Sequence, residues 1–198
     1  LNHASMIEGV RRNGGTKRIF KHNDVAHLRS LLQADDPTIP KVIAFESIYS
    51  MDGDFAPLMA LTKLCDETGA NLIVDEAHST GVYGNNGAGL VSQLGLDNQV
   101  FIKIHTFGKG IGAHGAAVVS EKLVKEYLIN FSRPFIYTTS IPPHSTITIS
   151  EAYKFIEEFD FLQKDLMTKI FLFTQTVLHS SSPNNCPIQS IIIQGNDK

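Results

Sequence analysis

Asn71-Leu72-Ile73-Val74-Asp75-Glu76-Ala77-His78-Ser79-Thr80-Gly81 is the stretch whose reading decides the fold. Its opening residues form a short apolar run bounded by a glycine and a turn, which reads as a buried parallel strand. Asp75 then falls at the strand's carboxyl end, where open α/β sheets place their ligands. A carboxylate there either holds a ligand or caps the loop by accepting nearby backbone N–H groups. His78 follows as the chain turns, and on its own it is equally a plain loop histidine.

Working outward, the pattern returns. Val100-Phe101-Ile102-Lys103-Ile104 is a second apolar run, ending in His105-Thr106 and the glycine-rich Gly108-Lys109-Gly110-Ile111-Gly112. A lysine between glycines at a strand end either stays solvated or enters a pocket. In a pocket, desolvation and a neighbouring cation lower its pKa toward the neutral amine that attacks carbonyls. Lys109, Asp75 and Thr106 together offer an amine, an anion and a hydroxyl. Pyridoxal phosphate (PLP) needs one of each, for its aldehyde, its ring nitrogen and its phosphate. Gly110-x-Gly112-x-x-Gly115 also fits the dinucleotide fingerprint, but that fingerprint must open a helix whose N-terminus faces a pyrophosphate. Here the glycines lead into Ala116-Ala117-Val118-Val119, which reads as a strand. They are expected instead to let the backbone run close to the lysine and its ligand.

The rest of the chain alternates strands and helices without an internal repeat. Asn23-Asp24 is expected to cap a helix through Leu32, and Lys41–Phe45 to form a strand. Pro57 suits the first turn of a helix with Leu58, Leu61, Leu64 and Cys65 on one face and Gly69 as its left-handed stop. Ala116–Ser120 reads as a strand and Glu121–Phe131 as a helix with Leu123, Val124, Tyr127 and Leu128 on one stripe. A long helix runs from Pro143 to about Phe159, and Phe161–Leu178 reads as a core helix. Ser180–Pro187 is a turn-rich linker before a last strand at Ile188–Ile193.

Four ordered segments resemble the α-oxoamine synthases, PLP enzymes of the aminotransferase type I fold. They are Glu46-Ser47-Ile48-Tyr49-Ser50-Met51-Asp52-Gly53-Asp54, Val74–Gly81, Thr106-Phe107-Gly108-Lys109 and Tyr137-Thr138-Thr139-Ser140-Ile141-Pro142-Pro143. Leu1-Asn2-His3-Ala4-Ser5 and His22-Asn23-Asp24 match as well. The resemblance implies an α/β fold: residues 1–158 as a large, PLP-binding domain with a mostly parallel sheet, and 159–198 as the start of a small α+β domain. It implies that Lys109 joins the cofactor covalently and moves the substrate's Cα proton. Asp75 pairs with the ring nitrogen, His78 with the ring oxygen, and Thr106 with the phosphate. Ser50 touches the cofactor too. Thr138 and Thr139 match positions that reach the phosphate in a neighbouring subunit, which implies a homodimer with shared sites, although a turn before Pro142-Pro143 explains them equally.

His114-Gly115-Ala116-Ala117 and Thr138–Pro143 resemble the biotin-pathway branch of the family, which implies decarboxylative condensation of L-alanine with a pimeloyl thioester, carried by coenzyme A or by a carrier protein. Other branches pair glycine or serine with a different acyl-CoA, and some relatives are catalytically silent partner subunits. The resemblance also implies that family parts lie outside these 198 residues: the phosphate-holding turn, a histidine that stacks on the ring, and a substrate-carboxylate arginine. This polypeptide alone is therefore expected to bind cofactor weakly and to be inactive.

Composition sets the outer bounds. With 198 residues, 42% of them hydrophobic, the chain can bury a core, and a net charge of −3 gives no basic field for nucleic acid. No apolar run approaches a membrane span, and nothing at Leu1 resembles a signal peptide. Cys65 and Cys186 are too few for a disulfide framework or a zinc site, so no metal is expected and a reducing, cytoplasmic setting is.

Overall fold

Sheet order and register are what position the site. The computed structural model describes residues 2–176, 182–183, 185–191 and 193. Along the chain come α1 (Ala4–Arg12), α2 (Val25–Ala34), β1 (Val42–Glu46), α3 (Leu58–Thr68) and β2 (Asn71–Asp75). A turn of 3-10 helix, α4 (Leu90–Gln93), β3 (Ile102–Thr106), β4 (Ala116–Ser120), α5 (Lys122–Phe131) and α6 (Arg133–Ile136) follow. Last are α7 (Pro143–Glu158) and α8 (Phe161–Thr176). The strands form one sheet in the order β1-β2-β3-β4, with the first three parallel and β4 antiparallel to β3.

Strand side chains alternate between faces, and here the two faces do different work. Phe45, Leu72 and Val74 are fully buried against Leu61 and Leu64 of α3 and Leu28 of α2. Each such side chain contributes about 1.5–3 kcal/mol by leaving water, so this face holds the sheet together. The opposite face carries Ala44 and Glu46 of β1, Ile73 and Asp75 of β2, and Ile104 and Thr106 of β3. Glu46 is in register with Asp75, Asp75 with Ile104, and Thr106 with Ala116.

Local signals account for some helix ends. Asp24 caps α2 by accepting the His27 N–H at 2.8 Å. Gly69 closes α3 at φ 68°. Pro57 precedes α3 as its N-cap rather than lying inside the first turn. In α5 the expected apolar stripe is only partly covered: Val124 and Leu128 are half-buried, while Leu123 and Tyr127 are exposed. α8 is not the core helix its apolar content suggested. Of its residues only Ile170 is buried, and Phe161 and Phe173 face outward. Val177 and Leu178 lie outside the described residues. The expected last strand is also absent among the described residues: Ile188–Ser190 have no regular structure and Ile191 makes an isolated bridge. Gln189 and Ser190 instead bond the preceding turn, through Gln189 Nε2 to the Pro183 and Cys186 carbonyls and the Ser190 N–H to Ser182 Oγ. No helix among the described residues is long and apolar enough to cross a membrane.

Candidate active site

A cavity of about 450 Å³ lies on the polar face of the sheet at the carboxyl ends of β1, β2 and β3. Asp75, His78, Thr106 and Lys109 all line it, so the sequence-predicted carboxylate, imidazole, hydroxyl and amine share one space. The second wall comes from α1, through Ser5, Met6, Gly9 and Val10. Those positions recur at helical spacing and put one face of the helix against the sheet.

Each functional side chain is placed by the backbone beneath it. Asp75 is 6% exposed and its Oδ1 accepts the Ala77 N–H at 2.9 Å. Burial raises its pKa, opposed by that hydrogen bond and by the charges of Lys109 and His3. His78 follows on a turn held by the Ser79 and Thr80 N–H groups on the Glu76 carbonyl. Burial foremost, then Lys109 and His3, lowers the His78 pKa to about 4, so the ring is neutral near pH 7 and keeps one N–H to donate. Thr106 Oγ1 is buried without a hydrogen-bond partner among the described residues. An orphaned hydroxyl costs free energy unless a ligand completes it, and a phosphate oxygen at this spot would do so.

Lys109 combines the two readings its sequence allowed, since it lines the cavity and yet meets solvent. Its side chain is exposed at the cavity's edge rather than desolvated. Its loop is nevertheless fixed: Phe107 N–H donates to the Gly115 carbonyl at 2.9 Å, and the Phe107 ring meets Tyr153 of α7 edge-on at 6.2 Å. The Gly110–Gly115 segment leads into β4, not a helix, which removes the dinucleotide reading. The expected close approach is real, with a different neighbour. A Cβ on Gly110 would lie 2.4 Å from the Thr80 carbonyl oxygen, so the lysine loop is pressed against the His78 loop. Gly110→Ala is expected to destabilise the protein by roughly 1–3 kcal/mol through overpacking. Denaturant melts check this, and an unchanged midpoint would mean the loops do not touch.

Ser50, Thr138 and Thr139 are not brought into the cavity. Ser50 sits half-buried in the turn after β1. Thr138 and Thr139 are exposed after α6, and the Thr138 hydroxyl donates to the Pro134 carbonyl.

Two residues that sequence reasoning left unassigned do line the cavity. His3 caps α1, its Nδ1 accepting the Ser5 N–H at 3.3 Å. An imidazole therefore stands in the wall, although the ring-stacking histidine was expected outside this chain. Glu46 is the other, 2% exposed beside Asp75. Its signal was the one that marked Asp75, a carboxylate ending an apolar strand.

Behind the sheet, His105 is 7% exposed and bonds Thr80 at 2.9 Å. The Thr80 hydroxyl already donates to the Glu76 carbonyl at 2.6 Å, so His105 Nδ1 must be the donor to Thr80. Burial, then Lys103, lowers the His105 pKa to about 4. A histidine whose folded pKa is depressed loses stability as pH falls from its unfolded value, near 6.5, toward 4. The wild type's stability relative to His105→Asn should therefore decline by roughly 3 kcal/mol over that window. Comparing the two proteins cancels the opposite contribution of the buried carboxyls. A pH-independent gap in urea melts would show that His105 titrates in the fold as it does in the unfolded chain.

The family described as aminotransferase class I and II matches residues 1–181. A 5-aminolevulinate synthase of Paracoccus denitrificans is 51% identical over 143 residues, 72% of this chain and 35% of its own length. An 8-amino-7-oxononanoate synthase of Emericella nidulans is 41% identical over 171 residues, 80% of this chain and 42% of its own. Among solved structures, a serine palmitoyltransferase from S. paucimobilis with bound PLP and myriocin superposes with a TM-score of 0.92 at 27% identity, covering 99% of this chain and 52% of that one. An 8-amino-7-oxononanoate synthase from Francisella tularensis gives 0.82 at 30%, covering 98% and 57%. The chain thus spans between about a third and just over half of the proteins it resembles. The cofactor is pyridoxal phosphate, and the orphaned Thr106 hydroxyl, the buried Asp75 and the Lys109 amine around one cavity fit it. With its sheet order, its cavity and these likenesses in agreement, the chain belongs to the class I and II aminotransferase family, in its α-oxoamine synthase branch.

Proposed function

We propose that the complete protein joins a small α-amino acid to an acyl thioester with loss of carbon dioxide. Convergence of Lys109, Asp75, His78 and Thr106 on one cavity carries this reading. When bound, the cofactor supplies a cationic ring that accepts the electron pair released at the substrate's Cα. Everything else falls to the chain. Lys109 holds the cofactor through its amine and, once freed by the incoming amino acid, takes the Cα proton and later returns one. Asp75 presents a buried anion to the ring nitrogen and keeps it protonated. His78, neutral and with one N–H, donates to the ring oxygen, and Thr106 donates to the phosphate. To His3 we assign the flat surface against which the ring packs.

L-Alanine with a pimeloyl thioester, giving 8-amino-7-oxononanoate in biotin synthesis, is supported by His114-Gly115-Ala116-Ala117, by Thr138–Pro143 and by the Emericella likeness. The higher identity to a 5-aminolevulinate synthase favours a second reading, glycine with a different acyl-CoA. The exposure of Thr138 and Thr139, beside the outward-facing Phe131, Phe135 and Tyr137 along the chain, supports a homodimer in which a second subunit covers this segment. The division at residues 158 and 159, and weak cofactor binding by this segment alone, belong to the same proposal. Incubating the complete protein with alanine, glycine or serine and several acyl thioesters, then identifying the ketone by mass, tests it. No ketone from any pair, and no borohydride-fixed cofactor on Lys109, would leave a silent partner subunit.

A further inference from the structure

Among the described residues, Glu46 is the one titratable group lining the cavity that this chemistry leaves without a task. It ends β1 in register with Asp75 and is 2% exposed. Its Oε1 is buried without a hydrogen-bond partner among the described residues. Leaving a buried carboxyl oxygen unpaired is costly, and a fold that retains one in a ligand cavity has its partner on the ligand. Its surroundings show what else it does. Burial and the Asp75 charge push its carboxyl up, while the backbone N–H of His3, then the His3 and Lys109 charges, favour the ionised form. His3 is the first residue of the α1 wall, and the neighbouring Asn2 side chain donates to the β1 carbonyl of Ala44 at 2.7 Å. The amino end of α1 is therefore moored to β1 through Asn2, one residue from His3, and the Glu46 carboxyl stands inside the cavity beneath it.

We propose that Glu46 is a positioning residue of the cofactor site: it stands beside Asp75 under the amino end of α1, and its unpaired oxygen is completed only by the bound group, through the ring N–H that it shares with Asp75. Asp75 then grips the ligand from β2 and Glu46 steadies it from β1. Glu46 can do so only if the cavity takes pyridoxal phosphate as assigned above. Wild-type binding tests that assignment, and the variants test Glu46 separately.

The complete protein, stripped of cofactor, is titrated with pyridoxal phosphate, following affinity and the absorbance of the bound form, with apo-protein melts alongside. Glu46→Ala should weaken binding by about tenfold or more and alter the bound absorbance. Glu46→Gln, which keeps an oxygen at the same reach, should stay within about threefold of wild type. Glu46→Asp keeps the charge but withdraws it by one methylene, and should lose nearly as much as alanine. A purely structural role would lower the apo melting temperature without this order of affinities. Wild-type affinity and spectrum in Glu46→Ala would overturn the proposal, as would a loss in Glu46→Gln equal to that in Glu46→Asp. If the alanine variant does not fold, the glutamine and aspartate variants decide alone.

Discussion

Lys109→Ala in the complete protein is expected to abolish covalent attachment of the cofactor and to lower turnover by at least ~10²–10⁴-fold, the usual worth of one proton-transferring group. Two losses combine in one side chain, because the same amine tethers the cofactor and moves the Cα proton. Borohydride reduction followed by peptide mapping separates them: wild type should carry the label at Lys109, the variant nowhere. Lys109 is exposed at the cavity's edge, so its removal leaves the packed core untouched. The melting temperature of the apo variant should match the parent's. A variant that retained more than a tenth of wild-type turnover would remove lysine from the chemistry.

Asp75→Ala should behave differently. The amine remains, so covalent attachment should survive, whereas turnover should fall ~10²–10³-fold because charge developing on the ring loses a preorganised partner. Burial already penalises the Asp75 charge, and its removal offsets part of the ~1–3 kcal/mol cost of leaving the buried Ala77 N–H without its acceptor. Absorbance and turnover must therefore be measured on the same sample. Loss of both together would show that Asp75 holds the cofactor in place rather than tuning it.

The parallel strands and the central constellation were legible because they follow one rule: an apolar run, then a polar residue, then a turn. The same rule explains the boundary errors. Lys41–Phe45 was expected where β1 is Val42–Glu46, and Val100–Ile104 where β3 is Ile102–Thr106. Hydrophobicity marks the residues that face the core, but pairing continues onto Glu46 and Thr106, which face the cavity. β4 was read without error because it ends on both sides at breaks in composition. α1 was missed since only Met6 is buried, apolar residues are few and Gly9 interrupts it, although those it has fall on one face. Its cap is a histidine, outside the usual Ser, Thr, Asp and Asn set. Losing α1 meant losing His3 as a site residue, because only the helix brings residue 3 to strands whose sequence lies forty to a hundred residues on. α4 and α6, of four residues each, are too short for any period to show. The mistaken core helix at α8 had the opposite cause: apolar residues abound there, but the described chain supplies too little to cover them.

Because the chemical groups come from strand ends and the facing panel from a single helix, reach and reactivity are separable by mutation. Met6 and Val10 border the same space as Asp75 without sharing a strand or a loop with it. Trimming them would enlarge the chamber while the catalytic register stays as it is. An engineer seeking a bulkier donor should begin on that helix and leave the lysine and histidine loops, which touch backbone to backbone, alone.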